Sequence, residues 1–293
     1  MIKYIEEIEA LVSLLDDPDS SVHVPVTERL IQLGEPAVKV LENTWELSED
    51  SSLQQRIENV ILLIQRGIIK KGMKDWADCR GDQLIYGAYL LAKSQYPDLE
   101  YVEIESKIEL LKSEIWLDLN DHLTAMEKIR VINHFLFSVH NFNRSIRGVQ
   151  SPQLFFINHV LDTHKGLPVS LAVIYAEIAA RLELPVYCVD LPRNFLLCYH
   201  DPDYTEDPDG IMFYINPYTQ GTILGRAEVE YFLEQQKIEK KPEYMRPCSN
   251  IETIERLTEG LRFAYAASRM DDKANFLEEL IGLMKNSRMD QNP

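Results

Sequence analysis

The chain has 293 residues, of which 45% are hydrophobic and 26% are charged, and its formal net charge is −17. This length leaves room for about two domains with a sizeable core, and the excess of acidic residues disfavours binding to a phosphate backbone. Uninterrupted apolar runs fall short of the ~18 residues that a membrane helix needs. Acids within MIKYIEEIEALVSLLDD argue against a signal peptide. We therefore expect a cytoplasmic protein that binds neither nucleic acid nor membranes.

Residues 1 to about 66 have the apolar spacing of consecutive helices. One stripe covers Ile5–Leu15, a second stops at Gly34, a third begins near Pro36, and a fourth covers roughly Leu53–Ile64. The passage LVSLLDDPDSSVHVPVTERLIQLGEPAVKVL resembles a HEAT repeat, a unit that commonly builds interaction surfaces. Arrays need about three units for stability and only one is clear here, so the resemblance implies that this region docks on its neighbour.

The middle of the chain predicts further helices. Their expected ranges are Asp82–Tyr96, Ile104–Leu117, Ala125–Val139 and Gln153–Leu161. Trp116, Phe135 and Phe137, which lie in these helices, are interpreted as core residues.

The segment 166–194, GLPVSLAVIYAEIAARLELPVYCVDLPRN, predicts a helix that leads directly into a strand. Pro168 suits the first helical position, and the apolar residues from Leu171 to Leu182 recur with helical spacing. Because most of the other positions are Ala or Val, the helix is apolar on nearly all sides and should be buried. The β-branched and aromatic residues of Val186–Leu191 predict the strand.

Beyond this helix the apolar period changes to two, which predicts a small sheet. The expected strands are Val186–Leu191, Phe195–Tyr199, Ile211–Ile215 and Thr222–Leu224. The acidic loop DPDYTEDPDG has no glycine at its sixth position, where a calcium-binding loop needs one, and is interpreted as a solvated hairpin loop. Ala227–Gln236 predicts a helix, and a pair of helices follows from about Ile251 to Asn286, with Phe263 among its apolar anchors.

Motifs for phosphate loops, dinucleotide binding, zinc proteases and serine hydrolases are missing from the sequence. The four cysteines have no metal-binding spacing, and Cys188 and Cys198 are interpreted as buried thiols. His159 and His164 are five residues apart and so do not share a helical face. We expect neither a metal nor a cofactor.

The central segment resembles the core of the transglutaminase-like superfamily, in which Gly-x-Cys opens the helix and an Ala follows four residues after the cysteine. Ala172 matches that Ala, and Leu182–Pro185 resembles the Leu-Gly-Ile-Pro ending of the helix. The segments VINHFLF, LFFINHVLDTHKGLPVSLAVIYAEIAARLELPV, LPRNFLLCY and INPYTQGTIL are similar to those of the SirB-type bacterial family, over roughly Gly81–Gln236. The tail resembles the tetratricopeptide-like helices that follow in that family.

These resemblances imply a mostly helical α+β fold. Its transglutaminase-like, papain-like core has a small antiparallel sheet packed on a central helix, with helical hairpins on either side. The implied domains are a HEAT-like region over residues 1–72, the transglutaminase-like domain over residues 73–245, and a tetratricopeptide-like hairpin over residues 246–293.

The resemblance also places three catalytic positions of the superfamily. Its cysteine falls on Pro168, its histidine on Asn194, where the SirB-type family typically has Pro-Gly-His-Phe, and its aspartate on Asn216. Proline has no nucleophile, and an amide can neither shuttle a proton nor stabilise an imidazolium by charge. Loss of such a triad removes on the order of 10⁶ in rate.

We therefore expect a non-catalytic binding, interaction or regulatory module whose partner is a protein or a peptide. A retained cleft is expected where Pro168, Asn194 and Asn216 converge. The alternative is a hydrolase or acyltransferase that uses Ser170 as a shifted nucleophile, with His159 or His164 approaching as its base. A first-turn serine more often bonds to the backbone.

Overall fold

The computed structural model describes residues 2–145 and 151–291. The chain forms two compact units, Met1–Gly72 and Met73–Pro293. Helices dominate both units, and a small antiparallel sheet lies in the second. The expected mostly helical α+β fold is confirmed.

The first unit contains α1 (Ile2–Ser13), α2 (Ser20–Leu33), α3 (Glu35–Leu47) and the beginning of α4 (Ser51–Asp78). Their apolar stripes meet in one core, whose most buried members include Ile8, Leu15, Leu30, Leu41 and Ile57. The Asp19 carboxylate accepts from the Ser21 N–H and caps α2, and Gly34 ends the helix with φ +72°.

Helix α4 extends well past the predicted end at Ile64. Its apolar spacing continues through Ile69, Met73 and Trp76, all buried, so packing outweighs the ~1 kcal/mol cost of Gly67 within the helix.

The second unit begins its helical layer with α5 (Leu84–Lys93), α6 (Tyr101–Trp116) and α7 (Ala125–Asn133). The helix expected over Ala125–Val139 changes after Asn133 into a π-helical turn, His134–Val139. The interpretation of Trp116 as a core residue was wrong, since it is 63% exposed. The buried stripe of α6 ends at Ile115, and the next residue points about 100° away from that stripe.

A short strand β1 (Asn143–Arg144) pairs in parallel with β2 (Lys165–Gly166), a contact that the sequence did not predict. Between them lie a 3₁₀ turn, Pro152–Phe155, and helix α8 (Ile157–Thr163).

Helix α9 (Pro168–Arg181) is the central helix of the unit. Every residue from Val169 to Ala179 is buried, which confirms the prediction of an enclosed helix. It contacts α5, α6, α8 and strand β3 (Val186–Val189).

The sheet has the order β3–β4–β5–β6 with antiparallel neighbours. Strands β4 (Leu196–His200), β5 (Ile211–Asn216) and β6 (Thr222–Leu224) lie within two residues of the predicted ranges. Val189 pairs with Leu196, so the tight turn that contains Asn194 joins β3 to β4.

The acidic loop between β4 and β5 is solvated only in part: Asp203 and Glu206 are exposed as expected, whereas Asp207 is not. Asp207 is only 8% exposed, and its carboxylate accepts a 2.6 Å hydrogen bond from Arg226 Nη1. Asp209 accepts from Arg246 Nε at 2.8 Å. Burial alone would raise the pKa of Asp207, but hydrogen bonds from Arg226 and from two backbone N–H groups hold that pKa below its usual value.

The chain ends with α10 (Arg226–Gln235), α11 (Asn250–Ala267) and α12 (Asp271–Gln291). Helices α11 and α12 pack as a hairpin, and α11 also contacts α5, α9 and the Pro152–Phe155 turn. Gly260 allows this approach, since a Cβ there would lie 2.3 Å from Phe155 Cε1. Phe263 is 61% exposed, so its interpretation as an apolar anchor was wrong.

Candidate functional site

The first turn of α9 holds two of the residues singled out from the sequence. Leu167 is extended (φ −96°, ψ 167°), as expected for a residue before proline, and Pro168 is the first helical residue. Ser170 is fully buried, and its hydroxyl accepts from the Leu167 N–H at 2.9 Å and donates to the Leu167 carbonyl at 3.1 Å. Gly166 permits this turn, because a Cβ there would lie 2.8 Å from Ser170 Oγ.

Neither candidate histidine makes a described hydrogen bond to Ser170. The His164 ring stacks on Phe142 with 4.4 Å between ring centroids, and the His159 carbonyl accepts from the Thr163 hydroxyl. In the described residues, Ser170 therefore has the contacts of a turn-stabilising residue and lacks the base that a serine nucleophile needs.

Asn194 lies in the turn between β3 and β4. Its N–H donates to the Leu191 carbonyl at 2.9 Å, and its Oδ1 accepts from the Phe195 N–H at 2.9 Å. This second bond fixes which end of the carboxamide faces the backbone. The Nδ2 end, which can only donate, has no acceptor among the described residues.

Asn216 is the last residue of β5 and acts as a cap. Its Oδ1 accepts from the Tyr218 N–H at 3.0 Å, and its carbonyl accepts from the Gly221 N–H at 2.9 Å. Asn133 ties this turn to the central helix, since it accepts from the Tyr175 hydroxyl at 3.0 Å and donates to the Gly221 carbonyl at 2.8 Å.

A cavity of about 460 Å³ opens at the start of α9. Pro168 and Asn194 both line it, whereas Asn216 is not among its lining residues. The remaining walls come from the α9 turn, the β3–β4 turn, the 3₁₀ turn and one face of α11: Phe155, Leu167, Val169, Arg193, Phe195, Arg256, Gly260, Phe263, Ala264 and Ala267.

Sequence reasoning missed the contribution of α11. The signal was present, since Gly260, Ala264 and Ala267 recur at i, i+4 and i+7 and so form a stripe of small residues on one helix face. Phe155 packs against the helix at Gly260, and the small side chains of Ala264 and Ala267 leave room for the cavity.

The cavity is mostly apolar, and its two charged residues are arginines. Arg256 pairs with Asp190, with Nε 3.1 Å from Oδ1. Arg193 is exposed and donates to Gln236 Oε1 at 3.1 Å, a neutral acceptor. No Asp or Glu lines the cavity in the part of the chain that the structure describes, although the sequence contains 47 acidic and 30 basic residues.

Burial keeps the thiols of Cys188, Cys198 and Cys248 in their protonated, unreactive form. Burial raises the pKa of Cys188 well above its usual value, and it raises the pKa values of Cys198 and Cys248 to about 12. Cys79 is exposed and does not line the cavity.

Across residues 2–145 and 151–291, no group of three or more His, Cys, Asp or Glu side chains is placed to hold a metal ion. Likewise, none of the described helices is long and apolar enough to cross a membrane.

A family model of the transglutaminase-like superfamily matches residues 102–259. That range is more than half of the chain, and it contains Pro168, Asn194 and Asn216. The chain therefore belongs to the transglutaminase-like superfamily. The match ends within α11, just before Gly260 and the last three residues of the cavity wall.

Curated relatives carry the name UPF0162. The chain is 25% identical to a UPF0162 protein of Xylella fastidiosa over 215 residues, which is 69% of this chain and 72% of the relative. It is 25% identical over 194 residues to UPF0162 protein PA3419 of Pseudomonas aeruginosa, with coverages of 65% and 69%. It is 28% identical over 166 residues to UPF0162 protein YchA of Escherichia coli K12, with coverages of 55% and 57%. No solved structure matches the chain significantly.

Proposed function

We propose that this protein is a non-catalytic transglutaminase-like module that acts by binding a protein or peptide in the cavity at the start of α9. The observation that carries the proposal is that Pro168 and Asn194, which fall on the superfamily's cysteine and histidine positions, line one accessible cavity. The resemblance implies that the nucleophile and the base are replaced, and a cavity is present at these two positions. We infer a binding or regulatory role for that reason.

The chemistry of the three positions supports this proposal. Pro168 presents no nucleophile, and Asn194 cannot take a proton near neutral pH. The Asn216 carboxamide is occupied by the Tyr218 N–H. The alternative, acyl transfer through Ser170, is not favoured because both described hydrogen bonds of its hydroxyl go to Leu167.

We also propose that the chain is divided into three regions. Residues 1–72 form a HEAT-like region, residues 73–245 form a transglutaminase-like domain of the SirB type, and residues 246–293 form a tetratricopeptide-like hairpin in a cytoplasmic protein. The support for the last assignment is that α11 and α12 pack as a hairpin and that α11 supplies one wall of the cavity.

Obstruction of the cavity tests the binding proposal. Ala267 is exposed and lines the cavity, whereas the neighbouring Ala266 is exposed but does not line it. In titration calorimetry with anilinonaphthalene sulfonate, an apolar anion, we expect A267W to weaken saturable binding by about tenfold or more, a loss of about 1.4 kcal/mol. The matched variant A266W should bind as the wild type does. Equal affinities for A267W and A266W, both folded by urea titration, would remove the support for this cavity.

A further inference from the structure

Two side chains of the cavity lining, Arg193 and Asn194, have hydrogen-bond donors that no described residue uses. The Asn194 Oδ1 accepts from the Phe195 N–H, which directs the oxygen to the backbone, and the Nδ2 group has no described acceptor. The Arg193 guanidinium carries five N–H donors and uses one on Gln236. A ligand that reaches both residues must therefore bring an acceptor.

The positive charge of Arg193 determines which kind of acceptor the cavity prefers. Arg193 makes no described ion pair, and the described cavity lining contains no carboxylate. A guanidinium fork binds a carboxylate in two parallel hydrogen bonds, which are stronger than bonds between neutral groups. An anionic ligand is thus attracted, although the protein as a whole is strongly acidic.

The apolar lining of the cavity determines which groups next to the carboxylate it can hold. Apart from the arginines and Asn194, the lining is mostly aromatic and aliphatic, with Phe155, Phe195 and Ala264 buried and Phe263 exposed. A volume of about 460 Å³ is in the range of small-molecule sites and exceeds that of a single side chain. The site therefore fits a carboxylate joined to a few apolar residues.

We propose that the cavity captures the free C-terminus of a partner polypeptide that ends in large apolar residues. The terminal carboxylate binds Arg193 and the Asn194 Nδ2 group, and the terminal side chains fill the space beside Ala264 and Phe263. This inference rests on the proposed binding function of the same cavity and names its partner class. Capture of a chain terminus by clustered donors is a known mode of peptide recognition.

A pair of peptides tests the proposal on the full chain. Both are N-acetylated hexapeptides that end in Ala-Leu-Phe, one with a free carboxyl and the other with a terminal amide. Because a charge-assisted bond is lost in the amide, calorimetry should show the acid binding about tenfold or more tightly. Equal affinities would overturn the proposal without any variant.

Two matched variants then locate the anion. Arg193 and Arg269 are both exposed and both adopt left-handed backbone (φ 63° and 58°), but only Arg193 lines the cavity. We expect R193Q to reduce the preference for acid over amide to less than about threefold, and R269Q to keep it. An equal effect of the two substitutions would assign the preference to overall charge and overturn the site.

Octanoate distinguishes a peptide from a small apolar acid. It carries the same carboxylate and an apolar chain but no peptide groups, and we expect it to bind more weakly than the peptide acid. Tighter binding of octanoate would overturn the peptide assignment. Each of these failures leaves the difference between A267W and A266W intact, so they can be told apart from a failure of the proposed function.

Discussion

The two ends of α9 use polar groups in different ways. Near its C-terminal end, the buried carboxylate of Glu177 accepts from the Ile85 N–H at 3.1 Å and from Arg181 Nε at 2.8 Å. Beside its N-terminal end, Arg193 and the Asn194 Nδ2 group keep donor capacity at an open cavity. Protein groups satisfy the hydrogen bonds of Glu177, so Glu177 stabilises the fold. The donors of Arg193 and Asn194 are available to a ligand.

This difference separates the groups that hold α9 in the fold from the donors that stay open at the cavity. The buried residues of α9 run from Val169 to Ala179, and the helix contacts strands β3 and β4 of the sheet. Proline serves the start of the helix well, because its missing N–H would have had no helical partner there. Proline at position 168 is therefore compatible with the start of α9.

The largest effect is expected for E177A. Removal of the carboxylate leaves the half-buried Arg181 without its closest partner and leaves the buried Ile85 N–H unsatisfied. We expect the free energy of unfolding to fall by about 3 kcal/mol in urea titrations, and by less in E177Q, whose amide oxygen can still accept. A loss below about 1 kcal/mol would contradict the structural role assigned to this end of the helix.

A smaller effect is expected for Y175F. Burial raises the pKa of the Tyr175 hydroxyl well above its usual value, so it stays protonated and donates to Asn133 Oδ1. The variant leaves that oxygen without its donor and should cost about 1–2 kcal/mol of unfolding free energy. An unchanged unfolding midpoint would show that the link from α9 to the Gly221 turn does not stabilise the protein.

At the cavity, R193Q should change stability very little. Arg193 is exposed and makes one described hydrogen bond, so we expect a change within about 0.5 kcal/mol, similar to that of R269Q. Chemical denaturation of both variants measures it. A large loss for R193Q alone would place Arg193 with the structural groups and would weaken its assignment as a ligand contact.

The smallest effect concerns the thiols. With pKa values of about 12 for Cys198 and Cys248, only roughly one molecule in ten thousand carries either thiolate at pH 8, and the thiolate fraction reaches about one half only near pH 12. A thiol reagent at pH 8 should therefore label Cys79 and leave Cys188, Cys198 and Cys248 unmodified until urea is added. Rapid labelling of a buried thiol in the native protein would reveal an activated cysteine.

Periodicity predicted the elements around α9 well, because burial on two sides leaves a strong apolar pattern in the helix and the strands. Periodicity failed where contacts between distant parts of the chain determine the structure. The Asp207–Arg226 pair joins a loop to a helix start 19 residues later, and local spacing carries no record of that contact. The α11 wall was missed for the same reason, since small residues on a helix indicate space without saying what borders it.

The resemblance located Pro168 and Asn194 because aligned motifs transfer positions that composition cannot. It did not indicate that Arg193 and Phe263 border the same space, since these side chains meet only through the packing of α11. The position of Asn216 as a cap likewise follows from the turn after β5, in which Pro217 begins a 3₁₀ turn.

The most direct test of binding without acyl transfer is intact-protein mass spectrometry. The full chain and S170A are incubated with aryl esters and thioesters of the Ala-Leu-Phe hexapeptide, and ester hydrolysis is followed in parallel. We predict that peptide mapping finds no acyl group on Ser170, whatever reacts at the exposed Cys79, and that the full chain and S170A consume the esters at the same rate. An adduct on Ser170 with accelerated hydrolysis, both abolished in S170A, would contradict the account.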